Sequence, residues 1–359
     1  MMKKLILTTA IGYCAAASAA HADLKVMSWG GGYGKAQNEA YVKPFAQEFG
    51  INTSMIDADN PATPLIAQVE AGNVSVDVVS VTYADAVRLC DEGLVEIIDP
   101  ATLAPAPDGT PAAEDFLPGS LTECGVSTDI WANIYAYDSA RFPEEKPTTI
   151  ADFFDTAKFP GKRGLAKSPK AVLEIALMAD GVPANEVYDV LSTPEGVDRA
   201  FAKLDTIKSD IVWWEAGAQA PQLLADGEVV MTTAYNGRIF NAAVDENKPF
   251  EIVWDGQIYE NGMFVIPKGA PNLEDAEKFL KFATSTEGLR RQAQWIAYGP
   301  PRKSAMAEDL LYHDGKTEML PNVPTYPDNM KNSLASSMDF WVDHLAELSE
   351  RFNAWMSAK

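Results

Sequence analysis

Apolar positions along this chain keep switching between two periods. Residues 23–29 alternate through Leu24, Val26 and Met27 and end in Gly30-Gly31-Gly32, which predicts a strand closed by a turn. Residues 36–49 place Ala40, Val42, Phe45 and Phe49 on one helical face and stop at Gly50. A second strand follows over 51–56, then a helix over 64–71 that ends at Gly72. Residues 74–81 form a β-branched run (Val76, Val78, Val79, Val81) of the kind buried on both faces of a sheet, and a helix over 83–91 stops near Gly93. Strand and helix thus alternate three times, the pattern of a parallel sheet covered on both sides.

The Pro- and Ala-rich stretch 100–118 reads as a loop and 126–137 as a strand. Helices are expected at 149–154, 171–178, 194–208 and 221–225, with a turn over 159–162. Strands are expected at 211–214, 229–235, 252–254 and 263–267. Helices at 273–284 and 287–298 follow, then loops and helices from 304, ending in a helix over 338–356. The alternation therefore runs twice, and the late strand at 263–267 leads into further helix. This predicts an α/β chain that builds one lobe over 23–134 and a second over 135–259. It then returns to the first over 260–305 and finishes with C-terminal helices over 306–359 packed on the lobes. Two lobes joined by crossing strands make a hinge and a cleft. The cleft walls should be the segments after each strand, where open α/β sheets bind ligands.

Composition narrows the function classes. Hydrophobic residues make up 47% of the 359, enough for two sizeable cores. Lys and Arg number 29 against 51 Asp and Glu, a formal net charge of −22. So acidic a chain offers no basic face for nucleic acid or for an anionic membrane. Residues 1–22 read as a secretory signal peptide: Lys3 and Lys4, a short apolar run, and Ala20-His21-Ala22 as the cleavage signal. Export leaves Cys90 and Cys124. An oxidising compartment favours a disulfide between them over two buried free thiols.

Catalytic and metal-binding signatures are missing. Of three histidines, His21 lies in the leader, and His313 and His344 fall in the C-terminal region, away from any segment after a strand. The sequence carries no His-x-x-x-His, Cys-x-x-Cys, Gly-x-Ser-x-Gly or Walker A motif, and Gly30–Gly34 does not fit a dinucleotide-binding loop in register. No resident cofactor or metal is therefore expected. What the predicted strand ends do carry is aromatic and acidic: Trp29, Tyr83, Trp131, Trp213-Trp214-Glu215, Tyr235, Tyr259-Glu260 and Tyr298. Ring faces attract an ammonium and hold methylene stems, while a carboxylate accepts charged hydrogen bonds. Trp213 and Trp214 are adjacent in a strand, so one packs in the core and the other faces the cleft. Arg238 suits either a bidentate carboxylate clamp or a salt bridge between lobes or on the surface.

At Met27–Gly31, Val78–Tyr83, Tyr235-Asn236-Gly237, Gly262–Pro267 and Ile296–Pro301, the chain resembles the spermidine/putrescine-type periplasmic binding proteins of ABC importers. The likeness runs in order over nearly the whole mature chain. It implies two α/β lobes that close on a ligand, a periplasmic monomer and delivery to an inner-membrane permease. It also implies ligand contacts at Trp29, Thr82, Tyr83, Tyr235 and Tyr298. Two departures alter the expected ligand. The family's amine-gripping acids fall on Ser168-Pro169-Lys170-Ala171, and its aromatic-x-acid pair falls on Glu260-Asn261-Gly262, so Glu215 or Glu260 would have to replace the missing carboxylates. The leading expectation is a polyamine or related small amine. The alternative is an amino-acid-like zwitterion, γ-aminobutyrate- or opine-like, held by one acid and by Arg238 or a helix N-terminus. A ferric-ion binder would need adjacent tyrosines, and an exported hydrolase a nucleophile and base, neither of which the chain supplies.

Overall fold

The computed structural model describes residues 23–306 and 309–358; the signal peptide read over 1–22 lies outside them. Nine strands form a single sheet: β1 Leu24–Ser28, β2 Thr53–Asp57, β3 Val78–Thr82, β4 Val126–Asp138, β5 Arg163–Ala166, β6 Ile211–Trp214, β7 Met231–Tyr235, β8 Phe250–Val265 and β9 Ser333–Ala335. Their order is β2-β1-β3-β8-β4-β7-β5-β6, with β9 paired to β8. Pairing is parallel in the outer part of each half, β1 with β2 and β3, and β5 with β6 and β7. It is antiparallel where β8 meets β3 and β4, and where β4 meets β7. The α/β reading holds, and the two halves share one continuous ladder.

That ladder is built by the two longest strands. Where β8 runs, the sequence predicts two short strands, 252–254 and 263–267. β8 is instead one strand of 16 residues lying beside the 13 of β4. Gly256 sits at φ +78°, and a Cβ there would come within 2.8 Å of Ile150, so its glycine absorbs a bend while the strand continues. The N-terminal end of β4 pairs with the late part of β8 (Val126 with Phe264), and its C-terminal end with the early part (Asp138 with Phe250). The chain thus crosses between halves on β4 and returns on β8.

Each half has its own core. In the first, Val78 and Phe264 pack with Phe45 and Phe279, while Val79, Val81, Met263 and Val265 fill the opposite face. Cys90 and Cys124 are disulfide-bonded, tying the helix Tyr83–Asp91 to the segment before β4. Closing a loop of 34 residues contributes about 4 kcal/mol by restricting the unfolded chain. In the second half, Leu165, Ile175, Phe153 and Phe201 form one cluster, and Trp214, Ile239, Leu224 and Phe250 another. The helices begin where short polar side chains cap them: Thr82, Thr193, Ser285 and Ser337 each accept a backbone N–H from the first turn. The glycines at 30–32, read as a turn, open a helix (Gly31–Gln37) one turn earlier than the apolar spacing indicates.

The C-terminal helix Met338–Ser357 buries Phe340, Trp341, Leu348 and Phe352 against the second half. Trp341 Nε1 donates to Glu174 Oε1 at 2.7 Å, and the Tyr188 hydroxyl donates to the same oxygen at 3.1 Å. Glu174 is fully buried, and desolvation lifts its carboxyl from 4.5 to about 7 against the pull of these donors. The folded protein therefore keeps this proton to higher pH than the unfolded chain. Stability should fall by roughly 3 kcal/mol as pH rises from about 4.5 to about 7, then level off. Urea unfolding of Glu174→Gln, which keeps an acceptor for Trp341, should lack this decline and exceed wild type above pH 7. An equal decline in the variant would place its origin elsewhere.

Candidate functional site

The strand ends converge on a cavity of about 230 Å³ between the two halves. Gly32, Tyr33, Ile296 and Tyr298 line it from the first half; Ala218, Gln222, Arg238 and Asn241 line it from the second. Two glycines permit this close approach. A Cβ on Gly237 would stand 2.6 Å from the Tyr298 ring, and one on Gly217 would stand 2.6 Å from the Tyr235 ring and 3.0 Å from Arg238 Nε.

The first-half wall rests on a buried polar network. The Tyr33 and Tyr298 rings lie 5.8 Å apart, with Trp29 packed on the same cluster. The Tyr33 hydroxyl donates to Asp129 Oδ2 at 2.7 Å and accepts from Gln37 Nε2 at 2.9 Å; Gln292 Nε2 also donates to Asp129, at 3.0 Å. Burial raises the Asp129 carboxyl above the usual range, and the donors Tyr33, Thr128 and Gln292 oppose that. Burial also pushes up the Tyr298 hydroxyl, which the Arg238 cation pulls back down.

The second-half wall carries two charged residues, Arg238 and Glu246, with an aromatic group packed nearby. Tyr235, at the end of β7, meets Trp131 edge-on at 5.2 Å and Trp214 at 6.0 Å. Trp214 faces this group, with its indole N–H buried and unpartnered, whereas Trp213 points to the other side, against Phe352 and Trp355 of the C-terminal helix. Asn236 opens the next helix and staples the halves: its Oδ1 accepts from Ala132 N at 3.0 Å, and its Nδ2 donates to Ala297 O at 2.5 Å. Two residues further, Arg238 reaches the cavity half-buried, and among the described residues it has no hydrogen bond and no ion pair.

Glu260 is only 7% exposed. Its Oε2 accepts from Lys170 Nζ at 2.8 Å and its Oε1 has no partner. Burial pulls the Lys170 ammonium down, but Glu260 and, less strongly, Glu174 lift it above the ordinary lysine value. Ala171, directly after Lys170, sits at φ +68°. A non-glycine residue held there costs about 1–3 kcal/mol, strain of the kind kept where a neighbouring side chain must be aimed.

Of the expected contacts, Arg238 and Tyr298 line the cavity; Trp29, Trp214, Tyr235 and Glu260 are not among its lining residues, and the others stand elsewhere. Thr82 spends its hydroxyl capping a helix, accepting from Asp85 N at 3.1 Å and donating to Asp85 Oδ2 at 2.8 Å. Tyr83 is half-buried on the first-half core. Glu215 is 70% exposed and pairs with Lys167 at 2.7 Å, away from the cavity lining. Sequence reasoning did not nominate Tyr33, which hides behind the glycine run, nor Asp129, which lies inside a strand. Lys170 stood out only as a departure from the family pattern.

Residues 40–325 match the family model described as bacterial extracellular solute-binding protein, and the chain belongs to that family of binding proteins. It is 45% identical over 345 residues to the gamma-aminobutyric acid-binding protein of Pseudomonas aeruginosa, covering 96% of this chain and 94% of that one. Among solved structures, a GABA receptor is 33% identical with a TM-score of 0.78, over 94% of this chain and 98% of that one. The PBP MotA from A. tumefaciens B6 in complex with glucopine is 30% identical with a TM-score of 0.79, over 93% and 100%. A spermidine/putrescine-binding protein from Streptococcus pneumoniae shares the fold alone, at 17% identity and a TM-score of 0.71 over 93% of this chain and 99% of that one. The polyamine expectation is thereby corrected: the similarities favour the zwitterion alternative.

The Tyr33 hydroxyl gives a direct check on the buried network. Tyr33→Phe leaves Asp129 buried with one donor fewer and should cost about 1–3 kcal/mol in urea unfolding. Glu215→Ala, which removes an exposed pair, should cost under about 1 kcal/mol.

Proposed function

We propose that this protein is the periplasmic solute-binding component of an ABC importer, taking γ-aminobutyrate or a closely similar ω-amino acid into the cleft and handing it to a membrane permease. The observation that carries this reading is Arg238: a half-buried guanidinium on the cavity wall with no partner among the described residues. An unpaired, partly desolvated arginine is a ready bidentate receptor for a carboxylate. Tyr298 and Tyr33 supply ring faces for the methylene chain, and the acidic partner for the ammonium is Glu260, whose Oε1 is buried and unpaired. A cavity of about 230 Å³ lies below the roughly 300–1,000 Å³ typical of drug-sized ligands, which supports a short amino acid over a sugar-conjugated opine. The 45% identity to a γ-aminobutyrate-binding protein points the same way. Binding bridges the two walls, so ligand contacts from both halves favour the closed arrangement. The chemistry is recognition only, with the ligand released unchanged.

Calorimetry with γ-aminobutyrate tests the assignment. Wild type should bind, and Arg238→Ala should weaken binding by about 30-fold or more, the cost of removing one partner of a desolvated charge pair. Unchanged affinity would reject Arg238 as the clamp; no binding of any ω-amino acid by wild type would reject the function.

A further inference from the structure

A buried ion pair stands near the cavity. Lys170 bonds Glu260, which lies opposite Trp131 in the β4–β8 ladder, and Trp131 meets Tyr235, whose hydroxyl feels Glu260, Arg238 and Lys170 together. Resting on the reading of the cleft as an amino-acid site, we propose that Lys170 is a specificity-determining residue: it is a built-in ammonium that occupies Glu260 and so bars ligands bearing a second amine.

The geometry supports this in three ways. Lys170 Nζ takes Glu260 Oε2 at 2.8 Å, leaving one buried carboxylate oxygen, enough for a single ligand ammonium. Lys170 is also held in place from both sides. Its backbone N–H donates to Ser168 Oγ at 3.2 Å, the next residue is locked at φ +68°, and Glu174, one helical turn on, adds a second attraction on the ammonium. Finally, Lys170 and Glu260 offset each other's charge. A zwitterion placing its carboxylate on Arg238 and its ammonium on Glu260 brings no net charge. A diamine instead sets a second ammonium against the unpaired Arg238 guanidinium or against Lys170, and like-charge juxtaposition of this kind is how binding sites reject near-analogues.

The test compares γ-aminobutyrate and putrescine by calorimetry on the full chain. Lys170→Gln and Lys170→Met free Glu260 and should shift the putrescine-to-γ-aminobutyrate affinity ratio toward putrescine by about tenfold or more. Lys170→Arg keeps the charge and should exclude putrescine as wild type does. The Lys170→Gln, Glu260→Gln double variant should lose the gain, because the released carboxylate is its cause. An unchanged ratio in whichever neutral variant folds overturns the proposal, as does a gain that survives in the double variant. The outcome is separable from that of the function itself. If wild type binds no ω-amino acid, the functional reading fails, yet acquisition of putrescine binding by the neutral variants would still place Lys170 as the barrier.

Discussion

The pairing of β4 with β8 is the constraint on which the rest of the molecule depends. Antiparallel strands of 13 and 16 residues run side by side through both halves, so two separate cores share one hydrogen-bonded seam. Each half hangs its parallel strands from this seam, and their ends then face each other across it. Register shifts between Ser127 and Asp129 and between Asn133 and Tyr135 bend β4 beside the cavity. Irregularities of this kind twist a strand and re-aim its side chains. The residues around them do aim inward: Trp131 meets Tyr235, and Asp129 holds the hydroxyl of Tyr33. Two further ties, Asn236 to Ala132 and Ala297 and the reciprocal backbone bonds of Ile130 and Gly299, fasten the Tyr298 segment to the same strand. The cleft is thus organised around its hinge.

Desolvation sets the chemistry of the walls. Most ion pairs lie on the surface, where water and salt leave each worth less than about 1 kcal/mol, as with Glu215 and Lys167. In the cleft the same residue types behave differently. Glu260 and Lys170 are buried enough to hold each other firmly, yet one carboxylate oxygen stays unpaired, and the Arg238 guanidinium is unpaired as well. A buried group without a partner is costly. On the proposed reading, complementary charges on a ligand relieve that cost, and the vacancy is a source of affinity.

Much of this could be read from the residues, and the exceptions share a physical cause. Strand and helix alternation announced an α/β chain with a return crossing, and the disulfide followed from two cysteines in a chain read as exported. The period-2 signal failed at β8, where Gly256 and Gly262 mimic turns; long-range pairing with β4 overrode local propensity. Aromatic residues at strand ends were visible, but no sequence pattern tells a wall from a core. Trp213 and Trp214 are neighbours whose fates differ only because alternate side chains leave a strand on opposite faces. The choice of ligand was the hardest part, since family likeness pointed to a polyamine while Lys170 was apparent only as the place where an expected acid was missing.

That substitution reaches beyond the ion pair. Lys170 stands two residues before the helix Val172–Ala179, Glu174 lies in its first turn, and Glu174 is also the acceptor for Trp341 of the C-terminal helix. A buried carboxylate with a cation on one side and an indole N–H on the other links the outer helix to the cleft through two short steps. The strained backbone at Ala171 lies between them, so relaxing it would move both ends of the link together. The C-terminal helix therefore acts as more than a cover for the second-half core. By supplying a donor to Glu174, it opposes the desolvation that lifts this carboxyl, and Glu174 in turn adds to the attraction that keeps Lys170 charged beside Glu260.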